Sequence, residues 1–289
     1  MSKETHRDGD NILGVGVPAF PGDRLHLGYI NGDKNPKLKD LYNKLVEPAA
    51  LVLDKLDPDS MDVSVVELNT PEYETALDII NYAYNTSYNG DGNSIRELAN
   101  DPESLASTTR TVITSKTIDG VTVIGGTFRV GWGSNLETFR LFDNSNGWSQ
   151  NGVAELSRFA LNPIFDVGRK RLYSPKERDT IALYKRLLLR KLWPVGMELL
   201  DKEKIEQCLF VLTPEVRVFV ESSGLNPIPV EGVSPSSSDY ANKLRREFSR
   251  YWRPDDVIEM QPRVYIAPRE VLPFQFKIDN GVVTIGESG

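Results

Sequence analysis

A carboxylate and a guanidinium lie three residues apart in the apolar stretch Val153–Pro163, at Glu155 and Arg158. The stretch is predicted to be a β-strand, so alternation places Glu155 and Arg158 on opposite faces. Ser157 and Phe159 share the face of Glu155. A charged side chain in an apolar strand is costly to bury unless it is paired or has a chemical task. Two interpretations stay open here: acid–base chemistry, or an ion pair or solvent-facing charge at a strand end.

Histidine and cysteine are scarce in the chain of 289 residues. His6 and His26 are the two histidines, and Cys208 is the single cysteine, in an apolar run where a buried structural thiol is predicted. A Cys–His or Ser–His nucleophilic centre is therefore not expected, nor is a His-rich metal site. Acid–base work would fall to carboxylates, tyrosines, backbone groups or water, and no metal is predicted.

The bulk composition is ordinary for a soluble globular protein, with 39% hydrophobic and 26% charged residues. No apolar run approaches the roughly 18 residues needed to span a bilayer. The N-terminus, Met1 to Asp10, is polar and lacks an apolar signal core. The sequence therefore predicts a cytoplasmic protein without a membrane span.

Basic residues are concentrated between Arg169 and Lys191, where nine basic and two acidic residues give a local net charge of +7 in a chain of net charge −7. Such a patch suggests a polyanionic partner. The acidic remainder would repel nucleic acid, so a phosphopantetheine group or an acidic carrier protein fits better. A solvated helix face rich in Lys and Arg is the alternative.

The elements around Glu155 follow a regular order from residue 61. Before the Glu155 strand, the predicted elements are a strand at 62–68, a helix begun by Thr70-Pro71-Glu72, and a hairpin of strands 108–115 and 121–130 around Ile118-Asp119-Gly120. After it come a helix begun by the capping box Ser174–Glu177, a strand at 207–212, a helix from Pro214, a helix at 240–252 and a strand at 261–267. One mixed sheet with helices on both faces accounts for this order, which predicts an α/β fold. The segment with Trp132 and Trp148 is predicted to be irregular.

Three motifs in this order resemble those of GNAT-fold N-acyltransferases: Gly126-Thr127-Phe128-Arg129-Val130, Glu155-Leu156-Ser157-Arg158-Phe159, and the passage from Phe210 to Glu215 that continues to Ser223-Gly224-Leu225. More narrowly, the chain resembles the branch of acyl-homoserine-lactone (autoinducer) synthases and long-chain N-acyl amino acid synthases. The resemblance covers residues 61–267. It implies a GNAT-like domain there, preceded by an N-terminal extension at 1–60 and followed by a C-terminal tail at 268–289.

The resemblance implies transfer of an acyl group from a thioester, either acyl-CoA or the phosphopantetheine of an acyl-carrier protein, to a small-molecule amine. In this fold the central strands splay apart, and the pantetheine arm pairs with backbone between them. Glu155 would take up the proton of the amine, often through water, while Arg129 and Arg158 would hold acidic or polar groups of the acceptor or lock Glu155 in place. Candidate contacts to substrate and donor are Phe128, Ser157, Phe159, Arg169, Lys170 and Arg171.

Departures from the family pattern narrow the expected substrates. The stretch from Gly168 to Pro175 lacks the glycine loop typical of acetyl-CoA users, which is consistent with an acyl-carrier-protein donor. We therefore predict an N-acyltransferase that acts on an amino acid or similar amine with a long-chain donor. An autoinducer synthase is an alternative, although its Arg, Trp and paired-Asp pattern is missing. A catalytically silent module that binds an acyl carrier or protein partner is another. No general acid is predicted, because the helix from Pro214 has no tyrosine.

Overall fold

The computed structural model describes residues 36–52, 55–57, 60–88, 108–149, 151–165, 191–214, 217, 227–247, 262–268, 275–279 and 282–286. Its strands are β1 (Asp62–Val66), β2 (Arg110–Ile118), β3 (Val121–Trp132), β4 (Phe142–Asn144), β5 (Val153–Leu161), β6 (Gln207–Leu212), β7 (Ile228–Pro229), β8 (Val233–Pro235), β9 (Arg263–Pro268), β10 (Gln275–Asp279) and β11 (Val282–Gly286). Its α-helices are α1 (Pro36–Ala50), α2 (Pro71–Tyr88), α3 (Glu137–Leu141), α4 (residues 191–202) and α5 (Asp239–Glu247).

Seven of the described strands form one mixed sheet in the order β1-β2-β3-β5-β6-β9-β7. Neighbouring strands are antiparallel except β5 and β6, which run parallel. Helix α2 packs on one face, in a buried cluster with Ile113 and Ala160. Helix α4 packs on the other face, in a cluster with Val112 and Val130. The predicted mixed sheet with helices on both faces is confirmed.

Local sequence signals correctly predicted the start of α2 and the turn between β2 and β3. Oγ1 of Thr70 accepts a hydrogen bond of 3.2 Å from the backbone N–H of Tyr73, so α2 begins at Pro71 behind a hydroxyl cap. Between β2 and β3, Asp119 and Gly120 have φ angles of 51° and 80°. Positive φ at both central residues is what a two-residue type I′ hairpin requires. These signals fix the start of α2 and the turn into β3.

The central parallel pair separates beyond Glu155. The β5–β6 ladder has three residue pairs, and the last of them joins Glu155 to Leu209. Strand β5 nevertheless continues to Leu161, paired with β3, and β6 continues to Leu212, paired with β9. The two halves of the sheet therefore diverge after Glu155, and the edge of β5 that faces β6 leaves the ladder at that point.

A β-bulge interrupts β5 at Arg158. Ser157 lies opposite Arg129 and Ala160 lies opposite Thr127, so between these rungs β5 has one residue more than β3. Arg158 takes a φ of 57°, in the left-handed region that residues with a Cβ rarely adopt. A bulge of this kind shifts the alternation of side chains by one residue.

The bulge overturns the prediction that Arg158 and Glu155 point to opposite faces. Glu155 accepts a hydrogen bond from Thr138, and Arg158 forms an ion pair with Glu137. Both partners lie in the first turn of α3. Phe159, predicted to share the face of Glu155, packs instead in the cluster on the α4 side of the sheet. Strict alternation predicted otherwise because the residue pattern carries no sign of the extra residue.

Helix α3 lies in a segment for which the sequence predicts no regular structure. Tertiary contacts to the chain around β8 and α5 hold it in place. The backbone N–H of Ser236 donates to the Leu141 carbonyl at 2.8 Å, and Oγ of Ser238 donates to the Arg140 carbonyl at 3.2 Å. The Arg140 guanidinium also stacks 3.7 Å from the centre of the Tyr240 ring. These contacts fix the position of α3 against β5.

Helix α4 approaches β3 closely at Gly196. A Cβ atom at this position would lie 2.5 Å from Cζ of the buried Phe128 ring. We expect Gly196→Ala to lower the free energy of unfolding by about 1–3 kcal/mol because the ring or the helix must move. Urea denaturation measures this change. Gly131→Ala is the matched control, since its Cβ would meet no atom closer than 3.6 Å. Equal losses in the two variants would contradict this packing.

Residues before β1 also take part in the fold. Helix α1 packs against α2, where the Tyr42 and Tyr82 rings lie 5.7 Å apart and Lys44 forms an ion pair with Asp78. The thiol of Cys208 is buried, as predicted. No helix within the described ranges is long and apolar enough to cross a membrane. The helix predicted to begin at Ser174 lies outside the described residues.

Candidate active site

Glu155 lies where β5 and β6 separate, in contact with α3. Its Oε2 accepts two hydrogen bonds from Thr138, one of 2.8 Å from the backbone N–H and one of 2.9 Å from Oγ1. This N–H belongs to the first turn of α3, where backbone donors have no partner within the helix. Both bonds end on Oε2, and Oε1 takes part in neither of them. The carboxyl group therefore has a fixed orientation and one oxygen with which to exchange a proton.

Burial raises the pKa of Glu155 above its ordinary value of 4.5, and the Glu137 carboxylate nearby raises it further. The hydrogen bonds from Thr138 and the positive charge of Arg158 lower the pKa without cancelling the rise. A carboxyl group whose pKa is shifted towards neutrality can accept a proton at physiological pH more readily than an exposed glutamate. The site therefore contains a group suited to act as a general base.

Arg158 forms a buried ion pair with Glu137, across the contact between β5 and α3. Its Nη2 contacts Oε1 of Glu137, and the two side chains are 7% and 13% exposed. The Tyr240 hydroxyl donates to the same oxygen at 3.1 Å, and the Arg158 guanidinium lies 5.3 Å from the centre of the Tyr84 ring. The sequence left open an ion pair between Glu155 and Arg158. In the structure, Arg158 is paired with Glu137 instead.

The network around Arg158 fixes the charge of its members. Burial by itself lowers the pKa of Arg158, but the negative charge of Glu137 and smaller contributions from Tyr84 and Tyr240 raise it overall. Burial also raises the pKa of Tyr84, against the opposing effect of Arg158, so the phenol stays neutral. Arg158 is therefore a permanent cation that ties β5 to α2, α3 and α5.

Arg129 lies on β3 opposite Ser157 and is 5% exposed. Burial lowers its pKa below the ordinary value, yet a guanidinium remains charged at neutral pH. Among the residues that the structure describes, neither Nε nor Nη2 of Arg129 has a hydrogen-bond partner. Arg129 and Arg158, for which the sequence predicts one shared role, are therefore in different states: Arg158 is ion-paired, and Arg129 has hydrogen-bonding capacity left over.

The predicted contacts to substrate and donor are divided between the two faces of the sheet. Ser157 is half-buried opposite Arg129, on the face that carries Glu155. Phe128 and Phe159 pack on the face of α4. The segment Arg169-Lys170-Arg171 lies outside the described residues. In the described part of the chain, no group of three His, Cys, Asp or Glu side chains is placed to hold a metal ion.

Sequence reasoning missed the residues that surround Glu155 and Arg158. Glu137 and Thr138 lie in the segment predicted to be irregular, and they meet β5 across 21 and 17 residues of sequence. Tyr240 meets Glu137 across 103 residues. Tyr84 meets Arg158 from α2, 74 residues earlier in the sequence. Because no local pattern links partners this far apart in sequence, none of these contacts was predictable from periodicity.

Two substitutions in α3 are expected to move the pH dependence of the site in opposite directions. A general base works when it is deprotonated, so activity falls as the pH drops through the pKa of Glu155. Thr138→Val removes a hydrogen bond that lowers this pKa, so the acidic limb of the kcat/KM profile moves to higher pH. Glu137→Gln removes a charge that raises the pKa, so the limb moves to lower pH.

The measurement is a set of kcat/KM profiles with one acceptor, so that the titration of the acceptor amine is the same for every protein. The charged and titratable neighbours that remain are Arg129, Arg158 and Tyr84, and they are present in both variants. Limbs that move in the same direction, or that do not move, would contradict the assignment of the acidic limb to Glu155.

Comparison with known proteins finds only structural neighbours of low similarity. No protein-family model matches the sequence, and no curated protein matches it. Similar solved structures include a GNAT-family acetyltransferase from Staphylococcus aureus Mu50 (14% identity, 72% of this chain and 99% of that chain, TM-score 0.37) and an acetyltransferase from Streptococcus agalactiae 2603 (16%, 72% and 98%, TM-score 0.38). Another is FeeM, an N-acyl amino acid synthase from uncultured soil microbes (12%, 72% and 92%, TM-score 0.36).

The strand order, the parallel pair in the centre and its separation beyond Glu155 define a GNAT-type fold, as the resemblance implied. The low identities and TM-scores of these neighbours carry no argument about the residues of the site. The chemistry assigned to this chain therefore rests on its own side chains.

Proposed function

We propose that this chain is a GNAT-type N-acyltransferase, which moves an acyl group from a thioester to the amine of a small acceptor. The observation that carries the proposal is the position of Glu155. It is a buried carboxyl group with a raised pKa, held by α3 at the point where β5 and β6 separate.

The chemistry requires a base, because an amine at neutral pH is mostly an ammonium ion; the ordinary pKa of an α-amino group is about 8. Glu155, through Oε1 and directly or by way of a water molecule, removes a proton from the amine. The nitrogen then attacks the thioester carbonyl, a C–N bond forms and the C–S bond breaks. The nitrogen of the ammonium ion gives up two protons in all: Glu155 takes the first and releases it to solvent, and the second passes to the departing thiolate. No covalent intermediate with the enzyme is needed, so the reaction suits a chain poor in Cys and His.

The separated strands offer a place for the thioester. Beyond Glu155 the edge of β5 that faces β6 has left the ladder, so its backbone groups are available to an extended ligand. In the GNAT-fold family that the chain resembles, the pantetheine arm of the donor pairs with the backbone of such a free strand edge. Backbone N–H groups of β5 are then in position to stabilise the developing negative charge on the thioester oxygen. The amine approaches from the face that carries Glu155.

The state of Arg158 favours an enzyme over a silent binding module. A silent module could have Glu155 capped by Arg158 or Arg129. Instead Arg158 pairs with Glu137, and Glu155 is oriented by Thr138 with Oε1 outside those bonds. We assign Arg158 to positioning: its ion pair holds α3, and α3 holds the carboxyl group of Glu155.

The finer assignment is a long-chain acyl donor, carried by an acyl-carrier protein or coenzyme A, and an amino acid or related amine as acceptor. The test is to incubate the purified protein with acyl-CoA thioesters of increasing chain length, or with acyl-carrier protein loaded with the same chains, and a mixture of amino acids. Thiol release that depends on the amine, with the matching amide detected by mass spectrometry, would support the proposal. Absence of amide from every combination would contradict it.

The basic segment Arg169-Lys170-Arg171 predicts that an acyl-carrier protein brings the donor. Replacing Arg169, Lys170 and Arg171 by Glu reverses a charged patch, so we expect weaker binding of acyl-carrier protein and a weaker dependence of that binding on salt. Titration of the carrier at several salt concentrations measures both. A control with the same charge change at Lys37, Lys39 and Lys202 should bind like the wild type. Unchanged binding by the triple Glu variant would mean that this patch is only a solvated surface.

A further inference from the structure

Arg129 is a buried cation whose hydrogen-bonding groups are incompletely satisfied by the described protein. The side chain is 5% exposed, and within the described ranges its Nε and Nη2 lack partners. Buried polar groups in proteins are nearly always hydrogen-bonded, and the cost of leaving one unsatisfied is greater when the group is charged. The unmade bonds of Arg129 therefore point to a ligand that brings acceptor oxygens.

The carboxylates near Arg129 are engaged by other groups. Glu137 forms its ion pair with Arg158, and Glu155 accepts its hydrogen bonds from α3. Both carboxylates influence the pKa of Arg129, but the dominant effect on it is burial, which lowers the pKa. The site therefore contains two buried guanidinium groups, of which Arg158 is paired with Glu137, and its other titratable groups include Tyr73, Tyr84 and Glu155.

Arg129 and Glu155 lie one rung apart on the same face of the sheet. Arg129 is opposite Ser157, and Gly131, two residues further along β3, is opposite Glu155. Side chains on adjacent rungs of one face are separated by about 7 Å. On the other side of Arg129, Oγ1 of Thr127 is a further buried polar atom that has no partner among the described residues. The unsatisfied groups thus form a row that leads to the proposed base.

We infer that Arg129 binds the carboxylate of the acceptor, and that the acceptor is an α-amino acid; the inference rests on the proposed function. A guanidinium binds a carboxylate through two parallel hydrogen bonds, which is the geometry that the unsatisfied donors of Arg129 can supply. An α-amino acid carries its amine on the carbon next to the carboxylate. With the carboxylate on Arg129, hydrogen bonds of about 2.9 Å at each end let the amine reach the neighbouring rung, where Glu155 accepts its proton.

The melting temperature of the ligand-free protein distinguishes a ligand-binding Arg129 from a purely structural one. An unpaired buried cation destabilises the fold, so Arg129→Met should raise the melting temperature of the free protein or leave it unchanged. A structural arginine would instead lower the melting temperature when it is replaced. Arg129→Lys keeps the charge and loses the paired geometry, and Arg110→Met is the control for an arginine on the opposite face.

The binding test uses melting temperatures with and without ligand. Each α-amino acid is compared with the amine that lacks its carboxylate. We expect at least one amino acid to raise the melting temperature of the wild type and of Arg110→Met. Neither the matching amine with the wild type nor the amino acid with Arg129→Met should produce this rise. A rise with Arg129→Met equal to that of the wild type, or no rise with any amino acid, would overturn the inference.

The kinetic test separates this inference from the proposed function. Arg129→Met should raise KM for the amino acid and lower kcat/KM about 30-fold or more, towards the value that the wild type shows with the matching amine. Equal activity of the wild type on the amino acid and on the amine would overturn the carboxylate site and leave the acyltransferase intact. Absence of activity on both, together with a melting shift that depends on Arg129, would overturn the proposed function and leave the carboxylate site intact.

Discussion

We expect Glu155→Gln to fold like the wild type and to form amide about 10²–10⁴-fold more slowly. Glutamine keeps the shape of the side chain and an oxygen that accepts the bonds from Thr138, so α3 should remain in place. It cannot accept the proton of the amine. The loss should appear in kcat at saturating acceptor, because the substitution removes a proton acceptor and leaves Arg129 unchanged.

The measurement is the rate of amide formation by the purified variant, together with its circular dichroism and melting temperature. Glu206→Gln is the matched control: this carboxylate is exposed next to β6, and its loss should leave the rate unchanged. The defect of Glu155→Gln should shrink as the pH approaches the pKa of the amine, because solvent then supplies the free amine. A folded Glu155→Gln protein with the rate of the wild type would contradict the role of Glu155.

Arg158→Met is expected to lower the free energy of unfolding by about 3–5 kcal/mol. The substitution leaves Glu137, whose side chain is 13% exposed, without its cation. It also removes the contact with the Tyr84 ring and retains a residue with a Cβ at the left-handed position of the bulge. The variant should therefore unfold at a lower urea concentration, and its remaining folded fraction should show a less active Glu155 because Arg158 lowers the pKa of that group.

A double-mutant cycle isolates the ion pair. Arg158→Met combined with Glu137→Gln leaves no unpaired buried charge at this place, so the double variant should recover a large part of the lost stability. Urea denaturation of the two single variants and the double variant gives the coupling energy. A loss below about 1 kcal/mol for Arg158→Met, or losses that add in the double variant, would show that the pair contributes no more than a surface salt bridge.

The framework of the fold was predictable from local signals. The hydroxyl of Thr70 before Pro71 predicted where α2 begins, and Asp119-Gly120 predicted the turn of the hairpin. The apolar run Gln207–Leu212 predicted β6 with its observed bounds. Each of these signals acts over a few residues, through a cap, a backbone conformation or continuous burial. The order of these elements was then sufficient to predict the mixed sheet.

The centre of the site was predictable only in part. Residue types in the Glu155 strand left open a chemical task or an ion pair, and the resemblance implied that Glu155 is the base. Alternation failed at Arg158, because a residue with a Cβ at positive φ leaves no mark in the pattern of polar and apolar residues. The partners on α3 and α5 were missed because tertiary contacts, rather than a capping residue, hold that short helix in place.

The ion pair explains why one motif carries two charged residues of opposite sign that do not pair with each other. Glu155 and Arg158 both contact α3, at adjacent residues: Thr138 holds the carboxylate, and Glu137 holds the guanidinium. The bulge is what brings both side chains to the same helix. The motif therefore fixes α3 against β5 with one residue and places a carboxyl group of raised pKa beside the separated strands with the other.

Acyl transfer that depends on Glu155 can be measured by mass spectrometry of organic extracts from cells that overproduce the protein, with Glu155→Ala as the control. We expect N-acyl amino acids that appear with the wild type and disappear with the variant, and their masses would identify both the acyl chain and the acceptor. N-acyl products that persist at equal levels in the folded Glu155→Ala variant would contradict the role of Glu155.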